Sequence, residues 1–128
     1  MDGRGFKLET NPVYPMPNDS DEITRLNNIQ YLICYALQGH FKAPVEEHLK
    51  RGIRVLDVGC GAGAWCTLNS FPFATSPLQQ KLARLYPSST FVGTDLVNIF
   101  NDSFNSSSPP PNVSFQIVDT TKARSPPP

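Results

Sequence analysis

The sequence predicts an α/β fold in which this chain supplies the first half of a doubly wound parallel sheet. A short β-branched run ends directly in a glycine-rich loop, and two later apolar runs each end in an aspartate. Helical patterns precede the first run and separate it from the second, as expected of crossovers between parallel strands. We therefore expect two N-terminal helices, then strand, helix, strand, loop and strand.

The first 52 residues predict an arm followed by helices. Residues 1–18 carry three prolines without apolar periodicity, which indicates an extended N-terminal arm. Residues 19–52 form the N-terminal helices, and the first is expected over 21–38, ended by Gly39. Its apolar residues recur at spacings of three and four: Ile23, Leu26, Ile29, Ile33 and Leu37. The acidic residues at its start suit capping and the helix dipole better than a cation site: Asp19, Asp21 and Glu22.

A second, shorter helix is expected to follow. Pro44 suits its first position, and Gly52 supplies the left-handed residue after its end. Acidic residues stand in its first turn and basic residues in its last, in accord with the helix dipole. The two histidines, His40 and His48, are interpreted as surface or helix-end residues rather than general bases.

Residues 53–121 carry the predicted sheet. The apolar run 53–58 is typical of a parallel strand that is buried on both faces. Further strands are expected at 90–95 and 112–119, each with an acid at its end. The serine- and proline-rich stretch between them indicates an irregular connection, and residues 122–128 form a proline-rich tail.

The glycine loop after the first strand favours a cationic ligand. The dinucleotide pattern can be overlaid on Gly59, Gly61 and Ala64, so NAD or FAD stays possible on glycines alone. However, Asp57 stands two residues before the first glycine, and Gly63 completes a three-glycine series. A carboxylate opposes a phosphate by about 4 kcal/mol at 4 Å and an effective dielectric near 20. S-adenosylmethionine carries an ammonium, a sulfonium and one carboxylate, so Asp57 suits it better.

Acidic residues at the ends of the second and third strands complete the predicted binding site. Asp95 ends the second strand, where an acid can accept hydrogen bonds from both ribose hydroxyls, as in NAD enzymes. Asp119 ends the third strand, where an acid can bind the adenine amino group. Either aspartate alone reads as a loop or cap residue, but three acids at strand ends beside a glycine loop indicate a nucleoside site.

At these residues the chain resembles the class I S-adenosylmethionine-dependent methyltransferases, whose fold is Rossmann-like. Residues 55–63 resemble motif I of that family, and 91–95 and 112–119 resemble its second and third motifs. The front end is similar to fungal methyltransferase-domain proteins of the secondary-metabolism regulator type. The residues that carry this narrower resemblance are Tyr14, Pro17, Asp19, Glu22, Arg25, Leu26, Ala64 and Trp65.

The resemblance implies a role for each site residue. The backbone that would face the methionine part of the cofactor belongs to Gly59, Cys60, Gly61 and Gly63. Asp57 would face the ammonium, Asp95 would bind the ribose and Leu96 would lie beside the adenine. Asp119 and Thr120 would lie at the adenine edge. The arm with Tyr14 is expected over the site, and Trp65 is interpreted as a packing residue.

The crossover between the first two strands is longer than the pattern requires. Asp95 follows Gly63 by more than the roughly 20 residues that the fingerprint allows. Residues 69–81 contain Pro72 and Pro77, which an uninterrupted helix accommodates poorly. We therefore expect an insertion at 69–81, either a surface loop or translated intron sequence.

The resemblance also implies that the fold is incomplete. Such a fold continues beyond the third strand, and its next strand pairs with the outer side of 53–59. We therefore expect a truncated product with an exposed apolar edge, a protein partner that covers this edge, and little methyl transfer by these 128 residues alone. The alternatives are half of an NAD-type oxidoreductase, or an inactive regulatory or assembly protein. The methyl acceptor is unknown, and no catalytic residue is nominated.

Composition narrows the possible partners and the cellular location of the protein. Eleven basic and eleven acidic residues give zero net charge, which disfavours nucleic acid as a partner. No apolar stretch approaches the roughly 20 residues of a membrane span, and no signal peptide is evident. Three cysteines without a C-x-x-C pair argue against a disulfide framework and a zinc site. An intracellular protein, cytoplasmic or nuclear, is expected, with no metal.

Overall fold

The computed structural model describes residues 19–67, 82–97 and 109–122. The predicted arm at 1–18 and the predicted insertion at 69–81 lie outside these residues. The same holds for the tail from residue 123 onward.

Helix α1 spans Ser20–Leu37, close to its predicted bounds. The Asp19 side chain caps it by accepting a hydrogen bond from the Glu22 N–H at 3.0 Å, so the capping interpretation of that acid is confirmed. Glu22 is buried and forms an ion pair with Arg25 one turn later. Neither α1 nor any other described helix is long and apolar enough to cross a membrane.

The end of α1 differs from the prediction by one residue. Gln38, not Gly39, adopts the left-handed conformation, with φ 53°. Its side-chain amide donates to the Tyr35 carbonyl at 2.8 Å, while the Gly39 N–H donates to the Cys34 carbonyl at 3.0 Å. These bonds satisfy carbonyls of the last turn and offset the strain of a left-handed residue that carries a side chain.

Helix α2 spans Glu46–Arg51. Val45 occupies the cap position, so the prediction of Pro44 as the first helical residue is wrong. Gly52 has φ 99°, and a Cβ there would lie 2.7 Å from the Ser88 carbonyl oxygen. The prediction that Gly52 follows the helix in a left-handed conformation is thus confirmed, and close approach is a second reason for glycine.

Three parallel strands form the sheet in the order β1-β2-β3. They are Arg54–Val58, Thr90–Asp95 and Val113–Ile117. Strand β2 matches its predicted bounds, whereas β1 and β3 are shorter than predicted at their ends. Short helices α3, Ala64–Thr67, and α4, Leu82–Leu85, lie in the crossover from β1 to β2. This α/β arrangement is compatible with a Rossmann-like fold.

The core lies on one face of the sheet. Phe91 is in register with Val55 on one side and with Val113 on the other, so these three side chains point to the same face of the sheet. Helices α2, α3 and α4 cover that face with Leu49, Cys66, Leu82 and Ala83, all buried. Helix α1 packs against α3.

The other face of β1 is open, which corrects the prediction that this strand is buried on both faces. Leu56 is 63% exposed and Val58 is 57% exposed. The reason is positional: β1 is an edge strand, and the described helices contribute their core residues to the opposite face. The described residues therefore form a sheet with one covered face, and the predicted exposed apolar edge is confirmed.

Candidate functional site

The glycine loop folds over the carboxyl end of β1 and is held by the neighbouring strand. The Gly59 and Cys60 N–H groups both donate to the Thr94 carbonyl, at 2.8 and 2.9 Å. The Gly63 N–H donates to the Cys60 carbonyl at 2.9 Å. Gly59, Gly61 and Gly63 have φ of 73°, 55° and 75°, which explains why glycine recurs at these three positions.

The glycines differ in what surrounds them. A Cβ on Gly59 would meet nothing within 4 Å, so this backbone faces open space. A Cβ on Gly63 would lie 2.6 Å from the Phe115 ring, and one on Gly93 would meet the same ring at 2.6 Å. Phe115 therefore requires glycine at both positions for packing, a reason that needs no ligand.

Asp95 fastens the loop to the end of β2. The side chain is buried, and its Oδ2 accepts a hydrogen bond from the Gly61 N–H at 2.8 Å. Its Oδ1 accepts from the Val97 N–H at 3.3 Å. Each carboxylate oxygen has a further lone pair, so Asp95 can hold the loop and still accept from a ligand hydroxyl.

Asp57 lies on β1 with its side chain on the same face as Asp95. Burial raises the pKa of Asp57, and the negative charge of Asp95 raises it further. The Cys66 thiol, whose Sγ lies 3.9 Å from Asp57 Oδ2, acts in the opposite direction. The carboxylate of Asp57 thus lacks a strong cationic or donor partner among these groups, which favours a ligand that brings positive charge.

The two cysteines beside Asp57 are poor nucleophiles. Burial raises the pKa of Cys60 to about 12 and that of Cys66 to about 12, and the charge of Asp57 contributes to both. Both thiols are therefore protonated at neutral pH and unreactive. Both cysteines are free.

A cavity of about 180 Å³ lies between the loop and α1. The predicted site residues that line it are Asp57, Gly59, Cys60 and Gly61. Helix α1 supplies the opposite wall with Leu26, Ile29 and Gln30, none of which the sequence assigned to a site. Leu26 and Ile29 belong to the predicted apolar stripe of α1. Such a stripe predicts packing against the rest of the protein, so it gave no sign that these residues line a cavity.

Trp65 also lines the cavity, and its indole is held by a hydrogen bond and by packing against the core. Its Nε1–H donates to the His40 carbonyl at 2.9 Å, and its ring packs against the core. The interpretation of Trp65 as a packing residue is therefore consistent with its contacts, although it also forms a wall of the cavity.

The remaining predicted residues lie along the same sheet edge but do not line this cavity. Leu96 follows Asp95 directly and is half-buried. The Val118 N–H donates to the Asp95 carbonyl at 2.9 Å, which places the end of β3 next to the end of β2. Beyond it, Asp119 forms an ion pair with Lys122 at 3.0 Å, and the exposed Thr120 begins a 3₁₀ turn, Thr120–Lys122. Tyr14 lies outside the described residues.

These features define an α/β domain with a small cavity beside a glycine loop and two neighbouring carboxylates. Among the described residues, no group of three or more His, Cys, Asp or Glu side chains is placed to hold a metal ion.

One comparison with curated proteins connects this domain to a fungal protein. The chain is 30% identical over 118 residues to Secondary metabolism regulator LAE1 of Cochliobolus heterostrophus. The match covers 90% of this chain but 32% of that protein, so the chain spans about a third of its relative's length. No family model matches the sequence, and no solved structure matches it. The expected similarity to fungal secondary-metabolism regulators is thus confirmed at the level of distant sequence similarity.

Proposed function

We propose that this chain is the cofactor-binding part of a methyltransferase-like protein and binds S-adenosylmethionine. The observation that carries the proposal is Asp57, a partly buried carboxylate with a raised pKa at a cavity beside the glycine loop. The similarity to a secondary metabolism regulator supports a regulatory setting for the complete protein. In that setting a methyl group would pass to an acceptor that is not identified.

The charge at the site supports a cationic cofactor over a dinucleotide. Asp57 and Asp95 make the electrostatic potential at the site negative. Burial is the main cause of the raised pKa of Asp57, and the negative charge of Asp95 raises that pKa further. The ammonium of S-adenosylmethionine would relieve this repulsion. A pyrophosphate would add to it, at about 4 kcal/mol for each charge pair at 4 Å and an effective dielectric near 20.

The hydrogen bonds of the loop support the same choice. Dinucleotide-binding loops hold a pyrophosphate with backbone N–H groups near a helix start. Here the N–H groups of Gly59 and Cys60 donate to Thr94, that of Gly61 to Asp95, and that of Gly63 to Cys60. Four donors of the loop are thus used within the protein, which disfavours the NAD-type oxidoreductase.

The residues of the site fit the cofactor's amino-acid end and do not attack it covalently. When bound, S-adenosylmethionine would supply a methyl group on its sulfonium sulfur, which an acceptor would attack in line with S-adenosylhomocysteine as the leaving group. Asp57 would hold the ammonium, Asp95 would hold both the loop and the ribose, and the protonated Cys60 would line the site without attacking. The protein would then contribute orientation and exclusion of water.

Isothermal titration calorimetry of the purified chain tests this proposal. We expect S-adenosylhomocysteine to bind and NAD⁺ to give no heat of binding. Asp57→Asn should weaken S-adenosylhomocysteine by roughly tenfold or more, because a charge-assisted hydrogen bond contributes about 1.5–3 kcal/mol. Asp21→Asn, on the exposed first turn of α1, serves as the control and should bind like the wild type.

The outcomes separate the alternatives. Binding of NAD⁺ without S-adenosylhomocysteine would support the oxidoreductase and overturn the proposal. Binding of S-adenosylhomocysteine to a longer relative that methylates nothing would support a regulatory protein that keeps the fold without turnover.

A further inference from the structure

Gln30 brings a polar side chain to the wall of the cavity that faces Asp57. The other α1 residues at this wall, Leu26 and Ile29, are apolar. Gln30 is therefore the polar residue that α1 contributes to the lining of the cavity, and Asp57 is the acidic residue that β1 contributes. A residue with an amide donor and a residue with a carboxylate acceptor thus line the same cavity.

The Gln30 amide is oriented by a neighbouring residue but keeps hydrogen-bonding capacity. Its Nε2 donates to the Sγ of Cys34, a buried residue, at 3.4 Å. Sulfur is a weak acceptor, and an amide nitrogen carries two hydrogens. The contact orients the amide, leaves a second N–H for a stronger acceptor, and costs little if it breaks.

The size of the cavity indicates which part of the cofactor it takes. At about 180 Å³ it is smaller than the roughly 300–1,000 Å³ of pockets that enclose whole drug-sized ligands. It therefore accommodates one end of the proposed cofactor. The amino-acid end carries an ammonium and a carboxylate on a short aliphatic chain, which matches Asp57, the Gln30 amide and the apolar Leu26 and Ile29.

We infer that Gln30 is a positioning and specificity residue that donates a hydrogen bond to the carboxylate at the amino-acid end of the cofactor. This inference rests on the proposed function. It makes α1 a functional wall of the site in addition to a packing element. It also predicts that the site rejects ligands that have the ammonium but lack the carboxylate.

A cycle of two ligands and two proteins tests the inference by calorimetry. The ligands are S-adenosylhomocysteine and its decarboxylated amine, which keeps the ammonium but lacks the carboxylate. The wild type should bind S-adenosylhomocysteine about tenfold more tightly than the amine, as expected for one hydrogen bond to a charged group. Gln30→Met keeps the length of the side chain and removes the amide. This variant should lose the preference for S-adenosylhomocysteine and bind the amine with the same affinity as the wild type.

Two further variants keep the test decisive. Gln30→Glu places a carboxylate near the ligand's own, so it should weaken S-adenosylhomocysteine more than Gln30→Met and bind the amine at least as well as the wild type. Asn28→Ala, on an exposed position of the same helix, should behave like the wild type with both ligands.

The results that overturn each idea are different. If Gln30→Met loses the same affinity for both ligands, or loses none for either, the role of Gln30 is overturned. The proposed function still stands in that case, provided that the wild type binds S-adenosylhomocysteine. Failure of the wild type to bind either ligand would overturn both.

Discussion

Asp57 occupies surroundings that disfavour its charge. Burial raises the pKa of Asp57 above its ordinary 3.8, and the nearby Asp95 raises it further. Because the folded protein then holds a proton more tightly than the unfolded chain, ionisation of Asp57 opposes folding. The stabilising contribution of the protonated form is complete below about pH 3.8 and is lost as the pH rises through the folded pKa.

Asp57→Asn should therefore raise the stability of the ligand-free protein at neutral pH. Asparagine removes the ionisation penalty, and we expect the melting temperature to rise by about a few degrees. The advantage over the wild type should shrink as the pH falls toward 3.8. Thermal unfolding followed by circular dichroism between pH 4 and 8 measures both effects.

Asp21→Asn is the matched control, because Asp21 is exposed. It should not reproduce the gain in melting temperature that we expect of Asp57→Asn at pH 7. An Asp57→Asn variant that is no more stable than the wild type at pH 7 would show that the surroundings of Asp57 do not disfavour its charge. If Asp57→Asn is more stable than the wild type and also binds the ligand more weakly, Asp57 is a residue kept for binding at a cost in stability.

The connection between α2 and the sheet depends on one buried hydroxyl. Ser89, just before β2, is fully buried. Its Oγ donates to the Leu49 carbonyl at 2.7 Å and accepts from the Ile53 N–H at 3.0 Å. This single side chain therefore joins the end of α2, the start of β1 and the turn that leads into β2.

Ser89→Ala should destabilise the protein by about 1–3 kcal/mol, because it leaves the carbonyl of the buried Leu49 and the N–H of Ile53 without this partner. Ser88→Ala is the control: the neighbouring residue is exposed, and we expect a change within about 0.5 kcal/mol. Urea unfolding measures both differences. Equal stability of the two variants would mean that other groups or water satisfy Ile53 and Leu49.

Local patterns predicted the elements well because their signals are local. The β-branched run before the glycines, the strand ending in Asp95 and the periodicity of α1 each depend on neighbours in sequence, and all three elements form. The helix ends were predicted less well, because capping is decided by competing local bonds. Pro44 was wrongly predicted as the first residue of α2, and the left-handed residue after α1 is Gln38, whose side-chain bond to the Tyr35 carbonyl offsets its strain.

Long-range packing limited what could be predicted of the site. The acids and glycines were expected together because parallel strands bring their carboxyl ends to one edge. The place of α1 beside the loop depends on tertiary contact, such as Leu26 lying 3.4 Å from a Cβ built on Gly61. The need of Phe115 for glycine at positions 63 and 93 is likewise a contact between separate elements.

The open face of the sheet bears on how the chain behaves in solution. Leu56 and Val58 are more than half exposed on β1, which is one of the two edge strands of the described sheet. An apolar edge strand presents unpaired backbone groups together with apolar surface, which favours association. The idea that a partner protein covers this edge stays a prediction.

We expect the chain to self-associate with rising concentration, and the double variant Leu56→Thr and Val58→Thr to reduce this association. Threonine keeps the β-branched shape that suits a strand and removes apolar surface from the open face. Stability should change little, because both side chains are already largely exposed. Light scattering coupled to size-exclusion chromatography over a range of concentrations measures the change in mass.

Val55→Thr provides the control on the same strand. Val55 is half-buried and packs against the core on the covered face, so its hydroxyl would enter apolar surroundings. This variant should lose about 1–3 kcal/mol of stability without reducing self-association. If the wild type remains monomeric at every concentration, or the double variant associates as the wild type does, then the exposed face of β1 does not drive association. A gain in solubility confined to the double variant would instead assign the association to Leu56 and Val58, because the two experiments alter opposite faces of one strand.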